Sequence, residues 1–275
     1  MTGEPRQAAL HEALSKAPQA TLMFWIVKIC ATTVGETGGD ALSMQLNLGY
    51  AVSTLIFLGF FVVTLGLQVR ARRYHPLIYW LVVVATTTVG TTTSDYIDRT
   101  LHLGYTLSSA MLFSLVVLVL IAWRLTTGKI AADKISTRPD EVFYWLTILV
   151  SNTLGTALGD FTSEAIPDLM TKLAAPPAAG WEPWGFELGA VLFASLILIV
   201  ALLHVAKALP QAILFWAAYV LTRPLGATLG DTLTKPVKQG GLDLDRIAAT
   251  AVIAAVMVAL VLVTPKLRRP ATVAT

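Results

Sequence analysis

Residues 24–40 read FWIVKICATTVGETGGD, and the same frame returns three times: YWLVVVATTTVGTTTSD at 79–95, YWLTILVSNTLGTALGD at 144–160 and FWAAYVLTRPLGATLGD at 215–231. Each opens on an aromatic residue and a tryptophan (Trp25, Trp80, Trp145, Trp216). Ten residues after the tryptophan stands a glycine (Gly35, Gly90, Gly155, Gly226). Fifteen after it stands an aspartate (Asp40, Asp95, Asp160, Asp231), preceded by a small residue. Self-similarity at fixed offsets marks a repeat architecture. Each unit begins an apolar segment of the ~20 residues that cross a hydrocarbon core.

The composition of the whole chain agrees. Hydrophobic residues make up 55% of it, charged residues 13%, and mean hydropathy is +0.69. An ordinary soluble domain carries roughly 25% charged residues, so a soluble fold is excluded: too few charges remain to cover a globular surface. Cys30 is the single cysteine, which excludes a disulfide scaffold. Eight apolar segments follow one another, at 20–40, 48–69, 77–97, 103–125, 141–161, 186–206, 210–231 and 247–264. The longest connections, 126–140 and 162–185, are too short to fold alone. The first seventeen residues mix Glu4, Arg6, Glu12 and Lys16 and lack the basic-then-apolar order of a signal peptide, so the first segment is expected to be retained as a span.

A second, weaker signature opens the even-numbered segments: Leu48-Gly49-Tyr50, Leu103-Gly104-Tyr105, then Leu188-Gly189-Ala190 after an insertion holding Pro176, Pro177, Trp181 and Trp184, and Leu244-Asp245-Arg246. The expected fold is an all-α integral membrane protein: eight transmembrane helices as four parallel two-helix repeats around a pseudo-symmetry axis. It forms a single transmembrane domain over 1–275, with repeats at 18–75, 76–136, 137–208 and 209–265. Each unit crosses twice, so all four enter from one side, unlike the inverted repeats of many transporters.

Orientation follows from loop Lys and Arg. Arg6, Lys16, Arg70, Arg72, Arg73, Arg124, Lys129, Lys134, Arg138, Lys207, Lys266, Arg268 and Arg269 fall on one side, and Arg99, Lys172, Lys235, Lys238 and Arg246 on the other. Both termini are expected to be cytoplasmic, in the inner (plasma) membrane. The net charge of +3 reflects this bias. The bilayer is the expected partner; no concentrated basic patch points to nucleic acid.

The tryptophan repeat, with its Gly and Asp partners, resembles a bacterial family of multi-pass membrane proteins with four tandem two-helix repeats of unknown function. The resemblance covers residues 18–264. It implies the architecture and carries no activity.

On a helix, positions 8, 11, 12 and 15 after each tryptophan share a face. They give Thr33, Glu36, Thr37 and Asp40; then Thr88, Thr91, Thr92 and Asp95; then Thr153, Thr156, Ala157 and Asp160 beside Asn152; then Pro224, Ala227, Thr228 and Asp231. Such hard oxygen donors suit Na⁺, Ca²⁺, Mg²⁺ or Mn²⁺. The glycines, with Gly39, Gly159 and Gly230 four residues on, form small-xxx-small pairs for close helix packing. The tryptophans read as packing residues or as an aromatic belt. One aspartate alone could be a loop-entry residue accepting turn hydrogen bonds. Four at one offset, set against the negative end of the helix dipole, suggest a cation that offsets that cost.

Lys28, Glu36 and Arg223 lie inside spans, where ionisable groups are expensive and point to function. They read as a structural pair across the repeat 1/repeat 4 seam, Arg223 with Glu36 or Asp40, or as a coupling network. The four histidines have no metal-ligand spacing, and no nucleophile elbow or phosphate loop occurs, so neither an enzyme nor a cofactor is expected. The expected activity is transport of a small, possibly divalent cation along a Thr/Asp-lined axis. The site residues are Thr33, Glu36, Asp40, Thr88, Asp95, Asn152, Thr153, Asp160 and Asp231. The alternatives are a structural or signalling membrane protein, or a transporter of a small organic anion held by Lys28 and Arg223.

Overall fold

The computed structural model describes residues 18–71, 74–130, 135, 137–173 and 184–267. The N-terminal tail with Arg6 and Lys16, and also Arg72, Arg73, Lys134, Pro176, Pro177, Trp181, Arg268 and Arg269, lie outside the described residues. Eight long helices hold most of the rest: α1 (Leu22–Asp40), α2 (Gly49–Arg70), α3 (Pro76–Asp95), α4 (Tyr105–Thr127), α5 (Arg138–Leu173), α6 (Gly185–Val205), α7 (Gln211–Thr234) and α8 (Arg246–Leu267). No strand occurs among the described residues.

Local chemistry sets the helix starts. Thr21 caps α1 by accepting from the Phe24 amide at 3.3 Å. Pro76 opens α3, where its missing N–H costs nothing. Asp245 caps α8, accepting from the Ala248 amide at 2.7 Å. That bond, with one from Gln45, holds the Asp245 carboxyl below the usual range. The Leu-Gly-Tyr signature is a turn. Asn47 and Gly49 have φ of 55° and 73°, and His102 and Gly104 have 55° and 78°. Glycine is needed at the second position because a Cβ would strain it.

Seven helices, α2 to α8, are long and apolar enough to cross a bilayer. The helix α1 has similar length but carries Lys28, Glu36 and Asp40, which lower its hydropathy. Helices α1, α3, α5 and α7 close into a ring: α1 packs on α3 and α7, and α5 packs on the same two. Helices α2, α4, α6 and α8 lie outside it. Of their most apolar windows 11% to 33% is buried, against 67% to 72% for α3, α5 and α7. Leu55, Val63, Leu118, Leu198 and Val252 are among the apolar side chains they expose. In a chain this apolar, that exposed belt is the surface that meets lipid.

The outer helices bind the ring in an order that a picture of four self-contained hairpins does not contain. Each packs chiefly on the inner helix of the following repeat: α2 on α3, α4 on α5, α6 on α7, and α8 back onto α1. Two boundaries also move. The fifth helix runs on to Leu173 instead of ending near 161. Leu188-Gly189 lies inside α6 rather than at its start, and a Cβ on Gly189 would meet Thr228 Cγ2 at 2.9 Å. That glycine serves helix contact, not a turn.

Candidate functional site

The inner ring stacks its side chains in layers about one helical turn apart. At the first layer, each residue preceding a tryptophan packs on the tryptophan of the next repeat. Phe24 meets Trp80 at 5.5 Å between ring centroids; Tyr79 meets Trp145, Tyr144 meets Trp216 and Phe215 meets Trp25, each at 5.7 Å. An aromatic belt facing lipid is therefore corrected. Trp80, Trp145 and Trp216 are buried and Trp25 is half-buried, because ring-on-ring packing adds to the area each buries.

Three residues on come Lys28, Val83, Ile148 and Tyr219, all fully buried. The Lys28 ammonium lies 4.2 Å from the centre of the Tyr219 ring. Seven residues after the tryptophans come Thr32, Thr87, Asn152 and Arg223, and against these the repeat glycines press. A Cβ on Gly35 would collide with Thr87, one on Gly155 with Arg223 and one on Gly226 with Thr32; on Gly90 it would sit 2.9 Å from the Asn152 carbonyl carbon. Close approach lets hydroxyls cross between helices. Thr87 donates to the Ala31 carbonyl at 3.2 Å and Thr32 to the Thr222 carbonyl at 3.1 Å, while the Asn152 amide donates to Thr86 Oγ1 at 3.0 Å.

Eleven residues on come Glu36, Thr91, Thr156 and Ala227, and the first three meet the end of Arg223. Its Nη2 lies 2.9 Å from Glu36 Oε2, 2.5 Å from Thr91 Oγ1 and 2.6 Å from Thr156 Oγ1. One guanidinium from repeat 4 thus touches the three other repeats.

The aspartates form the last layer, and all four are buried. None stands at a helix-to-loop boundary. Asp160 is inside α5, Asp231 is a turn inside α7, and Asp40 and Asp95 lead into π-helical turns at Ala41–Gln45 and Tyr96–Thr100. Their partners are cations that sequence reasoning placed only in outer loops. Lys235 Nζ lies 2.7 Å from Asp40 Oδ2 and 3.1 Å from Asp231 Oδ1. Arg99 lies 2.9 Å from Asp95 Oδ1 and 3.7 Å from Asp160 Oδ2, and Arg246 lies 3.8 Å from Asp40. Burial works against the Lys235 ammonium, but Asp231 and Asp40 outweigh it and hold its pKa well above the ordinary value. Arg99 and Lys235 both stand nineteen residues after a tryptophan, four beyond an aspartate, where repeats 1 and 3 have Met44 and Glu164. The i,i+4 spacing from Asp95 and Asp231 is the signal that could have found them.

The structure brings Glu36, Asp40 and Asp231 together, with one carboxylate oxygen of each inside 4.8 Å of the others. Thr33, Thr88 and Thr153 are buried about two turns before the aspartates and bond back to the carbonyls of Ile29, Val84 and Leu149. Asn152 belongs to the layer of Arg223. In chemical terms the outer layers offer carboxylate oxygens already shared with tethered cations, and the middle layers offer cationic donors.

These features define an all-helical, membrane-embedded bundle built from a fourfold repeated frame. A family model described as Repeat of Unknown Function (DUF347) matches residues 23–74, 78–129, 143–208 and 214–269, and the chain belongs to that family. No curated protein and no solved structure matches it.

Proposed function

We propose that this protein exchanges a small cation across the inner membrane, by displacing Lys235 from a carboxylate site at the seam of repeats 1 and 4. The observation that carries the reading is the convergence of Glu36, Asp40 and Asp231. Three buried carboxylates suit a hard, oxygen-seeking ion, and a divalent one more than a monovalent one. The lysine already there makes this an exchange site rather than an open pore, since an entering ion must expel the ammonium first. Eight spans, α1 included, would be arranged as four parallel repeats about a pseudo-symmetry axis. The ring closure supports that arrangement, because the polar side chains of α1 turn inward. The excess of Lys and Arg on the loops that share a side with the tails supports cytoplasmic termini. We read the protein as a transporter and not an enzyme.

One observation favours a structural role instead. Arg99 and Lys235 each tie two neighbouring repeats, which would hold the ring together with no ion involved. Flux of Mn²⁺ and of Na⁺ into proteoliposomes separates the two. The transport reading expects uptake per folded molecule that falls sharply in Asp40→Asn and Asp231→Asn. Wild-type protein that folds but moves neither ion leaves the structural role.

A further inference from the structure

Five acids and five bases meet in this core: Glu36, Asp40, Asp95, Asp160 and Asp231 against Lys28, Arg99, Arg223, Lys235 and Arg246. These charges are unevenly placed. Each of the five acids lies at or beyond the Glu36 layer; the buried Asp140 and Glu141 lie at the other end, before Trp145, where Asp140 accepts from Trp123 and Thr137. Lys28 stands eight residues before Glu36, about 12 Å along the helix. The helix α7 that Lys28 packs against carries Arg223 one turn beyond Tyr219, a charge of the same sign. The Lys28 ammonium is fully buried and has no hydrogen-bond partner.

The same is true of the donors around it. Tyr219 and Arg223 are one turn apart on one face of α7, and Lys28 reaches from α1 against that face, over the Tyr219 ring. The Tyr219 hydroxyl has no partner, and neither do Arg223 Nε and Nη1, although both residues are fully buried. Arg223 commits only Nη2 to the Glu36 layer. Buried donors without acceptors each carry a desolvation cost, larger when the group is charged. A cluster of this kind calls for an acceptor. A single compact anion would accept from all three side chains at once.

We propose that Lys28, Tyr219 and Arg223 form a binding site for a small inorganic anion of chloride size in the middle of the bundle. The ammonium, the phenol and the free edge of the guanidinium donate to it, and its charge offsets the local excess. Full burial of all three side chains restricts the occupant to a monatomic or similarly compact ion. The site adjoins the carboxylate cluster through the Arg223–Glu36 pair but uses none of its carboxylates, and it stands whether or not a cation is transported.

The test is equilibrium binding of radiolabelled chloride to purified full-length protein, paired with thermal unfolding in sodium chloride and in sodium gluconate at equal ionic strength. The expected result is saturable chloride binding and a higher midpoint in chloride. Lys28→Met should weaken binding roughly tenfold or more, the equivalent of one charged hydrogen bond, and Lys28→Arg should retain it. Tyr219→Phe removes only a hydroxyl and should weaken binding several-fold, which keeps the test available if Lys28→Met does not fold. Asp40→Asn should leave chloride binding unchanged while impairing cation flux. Wild-type protein that binds no chloride and melts alike in both salts overturns the site. So does Lys28→Met or Tyr219→Phe binding chloride as wild type does.

Discussion

Arg223 occupies a position where the other repeats place Thr32, Thr87 and Asn152, so the fourth repeat fills with charge a layer the others fill with neutral polar groups. Its contact with Glu36 is a fully buried ion pair, and removing one partner from such a pair costs roughly 3–5 kcal/mol. Arg223→Ala and Glu36→Gln should each destabilise the protein strongly, and the double variant less than their sum. Additive losses in thermal or chemical unfolding would show that the pair is not coupled. Lys235 provides a second measurement. Its pKa is raised in the folded state, so its stabilising effect is complete below about pH 10.4, the ordinary lysine value, and fades as pH rises through the raised one. Lys235→Met should therefore lower the unfolding midpoint at neutral pH and flatten its decline in alkali.

Between elements, the glycine layer decides how closely inner helices approach. A Cβ at Gly90 would lie 2.9 Å from backbone atoms of Asn152 and Thr153, which cannot rotate away. Gly90→Ala should cost about 1–3 kcal/mol by overpacking. Gly59, on the outer helix α2, meets nothing within 4 Å, so Gly59→Ala should leave the unfolding midpoint unchanged or slightly higher. Much of this layer was legible in the sequence, because glycine, tryptophan and aspartate recur at the same offsets in all four units. The residues that differ between units were harder to read. Arg99 and Lys235 face their aspartates in alternate repeats only, so no repeated letter marks them. The end of α5 is not marked in the sequence, because polar residues such as Thr162, Ser163 and Glu164 continue a helix as readily as they leave one. Which inner helix each outer helix chooses is set by packing between helices, which the hydropathy of a single segment does not encode.

At the scale of the molecule, the outer layer closes where α8 meets α1. Thr250 donates to Thr37 Oγ1 at 2.7 Å, Gln45 reaches Asp245 at 2.5 Å, and a Cβ on Gly38 would stand 3.4 Å from Thr250 Cγ2. Cysteines at Gly38 and Thr250, in a Cys30→Ser background, should cross-link within one chain under mild oxidation and shift its electrophoretic mobility. A chain that forms only intermolecular dimers would contradict the closure. Cysteines near Arg138 and near Trp184 should label from opposite faces of the membrane, and labelling of both from one face would remove a span.

Because every outer helix clasps the next repeat, and the last clasps the first, the packing has no beginning. Pro18 and Thr21, at the start of the described chain, line one cleft with Val261 and Thr264, near its end. The order in which the repeats are translated is then incidental to the assembled ring. A circular permutant, with the old termini joined by a short flexible linker and new ones opened in the connection before Arg138, should insert, fold and melt close to the parent. In such a molecule the Arg223–Glu36 bridge would join residues from adjoining repeats of a continuous chain instead of its two far ends.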